Sequence, residues 1–278
     1  MSDYNHNTQI TPKTVLITGA ASGIGLTTAH HLKSMGYLVI ITDIDNEALS
    51  VLNKNGFNTV YLDISNRQSI RKAFEIVGNI VDGIDGLVNN AGIFNQLPLI
   101  EAPDSDVDKL INTNVLGMYH MVKTFFPLVY KRKGRIINIS SETAKALLPF
   151  QTYGLSKLMM ESISNMLRLE LHALGIKVSL IRPGGHATSL MDKTLKVLNQ
   201  IPDKSYYRNE LMHIKKEGGE RILKVKNDPE DVAKVVFRAL TDSSPRRIYN
   251  VNVSMLYKIL SFMPSNLREY LVLRALKK

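Results

Sequence analysis

Short apolar runs alternate with stretches in which apolar positions return every three or four residues. The runs at 13–18 (KTVLIT) and 37–42 (YLVIIT) are rich in β-branched residues and lack polar alternation. That pattern predicts strands buried on both faces, as in a parallel sheet. Further runs at 59–62, 86–89, 135–139, 177–181 and 247–251 extend the series. Helical periodicity lies between them, at 26–36, 46–54, 66–77, 105–130 and 153–173. Ser65 or Asn66 is the expected cap of the third helix. The long stretch at 105–130 contains Pro127, where a kink is expected. Strict strand–helix alternation predicts an α/β fold, a single doubly wound parallel sheet of about seven strands with helices on both faces. Ligands bind such sheets at the C-terminal ends of the strands. Thr18, Asp43, Asp63, Asn90, Ser141 and Gly184 all fall at or just beyond such ends.

After Gly184 the regularity breaks. A helical pattern at 189–198 is followed by Pro202, the pair Tyr206-Tyr207 and a polar stretch, and Asp228-Pro229-Glu230-Asp231 opens another helix. The chain divides into a polar tail (1–12), one large domain (13–252) with a substrate lid at about 185–226, and an apolar, basic, helical C-terminal extension (253–278).

Composition narrows the function classes. The chain has 278 residues, 44% hydrophobic and 22% charged, ordinary for a globular protein with a real core. It has no cysteine, which removes disulfides, thiol nucleophiles and thiolate metal sites, and no metal is expected. The first 13 residues are polar and lack a signal-peptide core, and no run of 18 apolar residues occurs. A cytoplasmic protein is expected. Net charge is +10 and unevenly spread, with 18 basic against 9 acidic residues from Lys193 onward and 17 against 16 before it. With Trp absent and no reading motif visible, nucleic acid is not the expected partner. The extension, including Arg268, Arg274, Lys277 and Lys278, could instead cover a substrate pocket or touch an anionic membrane surface.

Candidate chemistry clusters at the strand ends. Thr18-Gly19-Ala20-Ala21-Ser22-Gly23-Ile24-Gly25 joins a buried strand to a helix. Glycines there let the backbone turn tightly and approach a phosphate, which the helix N-terminus attracts. Asp43, ending the second strand, can accept hydrogen bonds from an adenosine ribose and would repel a 2′-phosphate. No Arg or Lys at 20, 21, 22 or 44 would compensate, so NAD is expected rather than NADP. Tyr153 and Lys157 lie four apart on a helix, on one face. A cation there should lower the pKa of the phenol toward working pH and fit it for acid–base work.

Thr18-Gly19-x-x-x-Gly23-Ile24-Gly25, Asn89-Asn90-Ala91-Gly92, Asn114, Ser141, Tyr153-x-x-x-Lys157 and Arg182-Pro183-Gly184 occur in the order and context of the short-chain dehydrogenase/reductase family. The resemblance covers about residues 13–252 and implies a Rossmann fold. Ser141-Glu142-Thr143-Ala144 and the basic C-terminal segment look most like the branch of retinol, hydroxysteroid and 3-hydroxybutyrate dehydrogenases. It implies Tyr153 as acid/base, Lys157 as its partner and a nicotinamide-ribose ligand, and Ser141 as the group steadying the substrate oxygen. Asn114 would hold a relay water. Asp63 and Ile64 would border adenine, and Asn90, Ala91 and Gly92 the adenosine side. Pro183, Gly184 and Thr188 would border the nicotinamide. The family spacing of 13 residues before the tyrosine indicates Ser140, whereas the strand followed by Ser-Ser indicates Ser141, which is preferred.

The implied activity is hydride transfer between NAD and a secondary alcohol or ketone, with a small-molecule substrate and a homodimer or homotetramer. Leu190, Met191, Leu195, Leu198, Ile201, Tyr206, Tyr207 and Met212 in the lid, with Phe94, Leu147 and Phe150, suit a hydrophobic retinoid, steroid or long-chain substrate. His186 is expected as an exposed loop residue, or one meeting a polar substrate. The rival reading is a catalytically idle NAD-binding regulatory or scaffold protein.

Overall fold

Alternate side chains of each central strand feed opposite apolar layers. In β1 (Thr14–Thr18) Leu16 joins one cluster, while Val15 and Ile17 join the other. In β2 (Leu38–Asp43) Ile40 sits with Leu16, and Val39 and Ile41 face the other way. This two-sided burial is why the strands read as unbroken apolar runs. The structure, a computed structural model, describes residues 12–95, 97–146, 148–186, 204–223 and 227–276. With β3 (Asn58–Tyr61), β4 (Gly86–Asn89), β5 (Arg135–Ile139), β6 (Lys177–Pro183) and β7 (Ile248–Val251), the described strands form one seven-stranded sheet, ordered β3-β2-β1-β4-β5-β6-β7. Every strand pair is parallel. The order reverses between β1 and β4, and the crevice at that reversal is where such folds bind ligands.

One face carries α3 (Arg67–Ile80), α5 (Met118–Arg132) and α6 (Thr152–His172), through Ile70, Val77, Met121, Phe125, Met160 and Leu171. The other carries α1 (Gly23–Ser34), α2 (Asn46–Lys54) and α8 (Pro229–Thr241), through Ala29, Leu32, Leu49, Val232 and Val236. Helix starts follow ordinary capping chemistry. Asp45 accepts from Ala48 N at 3.0 Å, Asn66 from Gln68 N at 2.9 Å, and Asp228 from Glu230 N at 2.9 Å. The third helix is thus capped by Asn66, one of the two expected residues.

The stretch expected as one helix kinked at Pro127 is instead α4 (Asp104–Ile111), a π-helical turn at Asn112–Gly117, and α5. The helix continues through Pro127. The departure occurs where Gly117 passes the end of β3, close enough that a Cβ there would sit 2.8 Å from Ile64 O. The irregular last third contributes α7 (Arg208–Leu223), α8, and two closing helices, α9 (Met255–Phe262) and α10 (Ser265–Leu276). The helix expected at 189–198 lies outside the described residues, as does the 1–11 tail.

Candidate active site

A cleft of about 620 Å³ opens at the reversal point. Gly19, Ser22, Gly23, Ile24, Asp43, Asp63, Ile64, Asn90, Ala91 and Gly92 line it, together with Ile93, Lys109 and Thr113, which the sequence reading did not single out. Two glycines are demanded by sterics. Gly19 has φ +62, and a Cβ on it would lie 2.7 Å from Ala91 Cα; a Cβ on Gly25 would meet Gly19 O at 2.4 Å. The loop is braced from below. Thr18 Oγ1 accepts from Asn90 N and Ala91 N, each at 3.1 Å, and Asn90 Nδ2 donates to Thr18 O at 3.0 Å and Gly19 O at 2.8 Å. Ser22 precedes α1 without capping it through its side chain, and the first turn carries no acidic residue. The N–H groups and dipole of that turn therefore remain for an anion in the cleft.

Asp43 holds its corner through both carboxylate oxygens, Oδ2 accepting from Ala21 N at 3.0 Å and Oδ1 from Ile44 N at 2.8 Å. Asp63 accepts from Ser65 N at 2.9 Å. These residues fit a dinucleotide: a glycine loop on a helix start for its phosphates, and a carboxylate beside it for a ribose.

Beyond Gly92, past the end of β5, Ser141, Tyr153 and Lys157 converge. The Ser141 hydroxyl lies beside the Tyr153 phenol, close enough to pull its pKa down. Ser141 Oγ also accepts from Thr143 N at 3.2 Å and Thr143 Oγ1 at 3.0 Å, capping the 3₁₀ turn Glu142–Lys145. Its neighbour Ser140 is buried and donates to Glu161 Oε1 at 2.7 Å, pointing away from Tyr153. Lys157 is 3% exposed and donates to Ile139 O at 2.9 Å. Its ammonium lies 5.6 Å from the centroid of the Tyr153 ring.

The electrostatics differ from the expectation of a phenol lowered by its lysine. Burial pushes the Tyr153 pKa up, and the Ser141 hydroxyl offsets this only in part. Tyr153 as a whole is half-buried, but its hydroxyl is at the enclosed end. Burial likewise pushes Lys157 down to about 8, with the Glu161 carboxylate pulling it back up. Desolvation outweighs the cation here because Lys157 points its ammonium at Ile139 O rather than at the phenol oxygen.

Asn114 sits in the π-helical turn and is buried. Its Oδ1 accepts from Ile93 N at 2.8 Å, and Nδ2 donates to Ile93 O at 2.9 Å and Ser156 Oγ at 3.0 Å. A Cβ on Gly92 would be 3.1 Å from Asn114 Oδ1 and 3.5 Å from Lys157 Nζ, so asparagine and lysine flank Gly92. A π-turn is costly in regular helix and recurs at functional sites. Pro183 ends β6, and Gly184 N donates to Val251 O at 2.8 Å. Thr188, Leu147 and the lid positions Leu190, Met191, Leu195, Leu198 and Ile201 lie outside the described residues.

Two aromatic pairs involve residues of this region. Phe94 packs on Tyr153 with centroids 5.0 Å apart, and Phe150 packs on Tyr207 at the same separation. Phe150 has φ +61, uncommon for a bulky side chain. His186, expected to be exposed, is 3% exposed; its Nδ1 lies 2.9 Å from Gly184 O, and its ring packs near Asn252. The sequence reading also missed Glu161. It accepts from Arg182 Nε and Nη2, each at 2.6 Å, beneath the active site. Its place four residues beyond Lys157, on the same face of α6, was the available signal.

The family model described as short chain dehydrogenase matches residues 13–198. Human 17-beta-hydroxysteroid dehydrogenase type 6 is 30% identical over 96% of this chain and 89% of its own length. Rat mitochondrial D-beta-hydroxybutyrate dehydrogenase is 32% identical over 86% of this chain and 76% of its own. Among solved structures, a short-chain dehydrogenase from Streptomyces avermitilis superposes with TM-score 0.76 at 23% identity, covering 96% of this chain and 95% of that one. A short chain dehydrogenase/reductase from Burkholderia phymatum in complex with NAD gives 0.75 at 23%, covering 89% and 92%. The chain therefore belongs to the short chain dehydrogenase family, and it is a nicotinamide-dependent oxidoreductase acting on an alcohol or ketone.

Proposed function

We propose that the protein interconverts a hydrophobic secondary alcohol and its ketone with NAD, using Tyr153 as general acid and base. The observation that carries this reading is the convergence of Ser141, Tyr153 and Lys157, with Lys157 against Gly92, a residue of the cleft lining. Bound in that cleft, the nicotinamide supplies or accepts the hydride. Tyr153 takes the hydroxyl proton in oxidation and returns it in reduction. Burial keeps the phenol protonated, the form that donates to a ketone. Ser141 hydrogen-bonds the substrate oxygen as its charge develops. Asn114, across Gly92 from Lys157, holds the relay that returns protons to the lysine. Asp43 receives the adenosine ribose and disfavours a 2′-phosphate. Pro183 and Gly184, at the end of β6, border the nicotinamide. Phe94, Phe150 and Tyr207 support an apolar substrate wall.

The test is NAD(H)-coupled turnover across hydroxysteroids, retinoids, long-chain secondary alcohols and 3-hydroxybutyrate. Activity is expected on an apolar member, and Tyr153→Phe should cut it about 10²- to 10⁴-fold. Ser141→Ala should follow Tyr153→Phe, while Ser140→Ala should chiefly lower stability. A protein that binds NADH but turns over nothing, with Tyr153→Phe inert, would be an idle NAD-binding protein instead.

The closing helices support peripheral membrane contact. Phe262 is 89% and Met255 71% exposed, and α10 has no buried residue. Lys258, Arg268 and Arg274 stand among these apolar groups against a single acid, Glu269. Apolar side chains ringed by cations match an anionic lipid surface. A homo-oligomer is supported separately by Leu116, Met166 and Leu169, exposed on the central helices.

A further inference from the structure

Ten residues join Glu142 to Gln151, between the two hydroxyls of the proposed active site, and they hold the C-terminal helices at three points. Glu142 follows Ser141 directly, and its Oε2 accepts from Ser254 N at 2.8 Å. The neighbouring Ser254 hydroxyl and Gly185 N–H also favour the charged form of this carboxylate. Gln151 Nε2 donates to the Tyr257 hydroxyl at 3.3 Å. Arg268 Nη1 donates to Lys145 O at 2.8 Å. The extension is thus fastened to the segment that separates Ser141 from Tyr153.

Of the three links, the Glu142 carboxylate ties together most. The groups that favour its charge come from the cap of α9 and from the loop after β6. The fit is close, since a Cβ on Gly184 would lie 3.3 Å from Oε2. Glu142 is also the first residue of the 3₁₀ turn that Ser141 caps through Thr143 N, so the two share one turn. Burial pushes the carboxyl pKa up, while Ser254 and Gly185 pull it back. A half-buried carboxylate of this kind is stable only while its donors stay in place.

We propose that Glu142 is a positioning residue that hooks α9 and the loop after β6 onto the turn beginning at Ser141, so that the seating of the C-terminal helices sets the Ser141–Tyr153 geometry. This rests on the catalytic reading of Ser141 and Tyr153 given above. The C-terminal helices then act on catalysis without touching the reacting atoms. A surface that pulls α9 and α10 also pulls on the serine.

Full-length Glu142→Ala, Glu142→Gln, Ser254→Pro and Ser254→Ala test the hook. Ser254 has φ −63, already suited to proline, so Ser254→Pro removes the N–H donor with little backbone strain, whereas Ser254→Ala keeps it. Kinetics use the best substrate of the turnover panel. Glu142→Ala and Ser254→Pro should each lower kcat about tenfold or more, with KM for NAD changed less than about twofold. Glu142→Gln, retaining one acceptor oxygen, should fall between, and Ser254→Ala, which loses the hydroxyl but keeps the N–H donor, should lose several-fold less kcat than Ser254→Pro. The double variant Glu142→Ala/Ser254→Pro should be no worse than either alone. Hydrogen exchange, which needs no substrate, should show faster exchange at 142–151 in both variants and unchanged exchange in β1–β3. Unchanged kcat with only a lower melting temperature would reduce Glu142 to a structural contact and overturn the proposal. Should no panel substrate turn over, the catalytic reading fails on its own, and unchanged exchange at 142–151 would separately sink the hook. If Glu142→Ala does not fold, Ser254→Pro carries the same test.

Discussion

Lys157 is buried with its ammonium against Ile139 O. Its pKa is pushed down to about 8 by burial, so the folded protein holds that proton less tightly than the unfolded chain does near 10.5. A depressed lysine costs stability at every pH below the folded value, and the cost fades as pH rises toward the unfolded value. The difference corresponds to about 3 kcal/mol at most. Lys157→Met should therefore abolish turnover yet raise stability at neutral pH by up to about 3 kcal/mol, less the lost bond to Ile139 O. Denaturant titrations between pH 7 and 10 should show wild type closing the gap as pH rises; a pH-independent gap would contradict the displaced lysine. Asp43 is the second residue with a sharp expectation. Asp43→Ser removes the charge that opposes a 2′-phosphate. The ratio of kcat/KM for NADP to that for NAD should rise about ten- to hundredfold, the size of a lost charged hydrogen bond. A ratio that stays put would mean that Lys109 or another cleft residue sets the preference.

At the scale of elements, the candidate active site is held where β5, β6 and α6 meet. Glu161 on α6 receives Arg182 from β6 and Ser140 from the end of β5. Removing one member of a buried ion pair strands the other charge. Glu161→Ala should cost about 3–5 kcal/mol in chemical denaturation. Replacing Glu161 and Arg182 together by apolar residues of similar volume should cost less than that single change. The π-helical turn at Asn112–Gly117 is likewise an element-scale feature. Apolar periodicity at 105–130 foresaw helix, and helix forms on both sides. The turn coincides with the close approach of Gly117 to Ile64, a contact between segments far apart in sequence. A local reading that weighs Pro127 alone cannot register it.

At the scale of the whole molecule, the charge imbalance finds a physical counterpart. The basic last third ends in two helices whose exposed side chains include Phe262, Leu267, Tyr270 and Leu273. No helix among the described residues is long and apolar enough to cross a membrane. Lying on a surface is a different demand, met by shallow apolar anchors with basic neighbours. Vesicles rich in anionic lipid should bind the protein, and Phe262→Asp should weaken binding about tenfold or more. Raised salt should weaken it too, because the electrostatic part is screened. If wild type ignores such vesicles but self-associates, and Phe262→Asp makes it monomeric, the face is an interface between copies.

The sequence alone determined the sheet, the cleft and the pairing of Tyr153 with Lys157. Those features follow from periodicities of two and 3.6 and from turn residues whose effects are local. It could not decide between Ser140 and Ser141 by spacing, because adjacent residues leave a strand end on opposite sides. Only the tertiary structure turned Ser141 toward Tyr153 and Ser140 into Glu161. Only it buried His186. It also reversed the expected shift of Tyr153, because desolvation is set by what surrounds a group rather than by its neighbours in the chain. The hook at Glu142 is of the same kind: its carboxylate and Ser254 are 112 residues apart in sequence, and only folding brings them together.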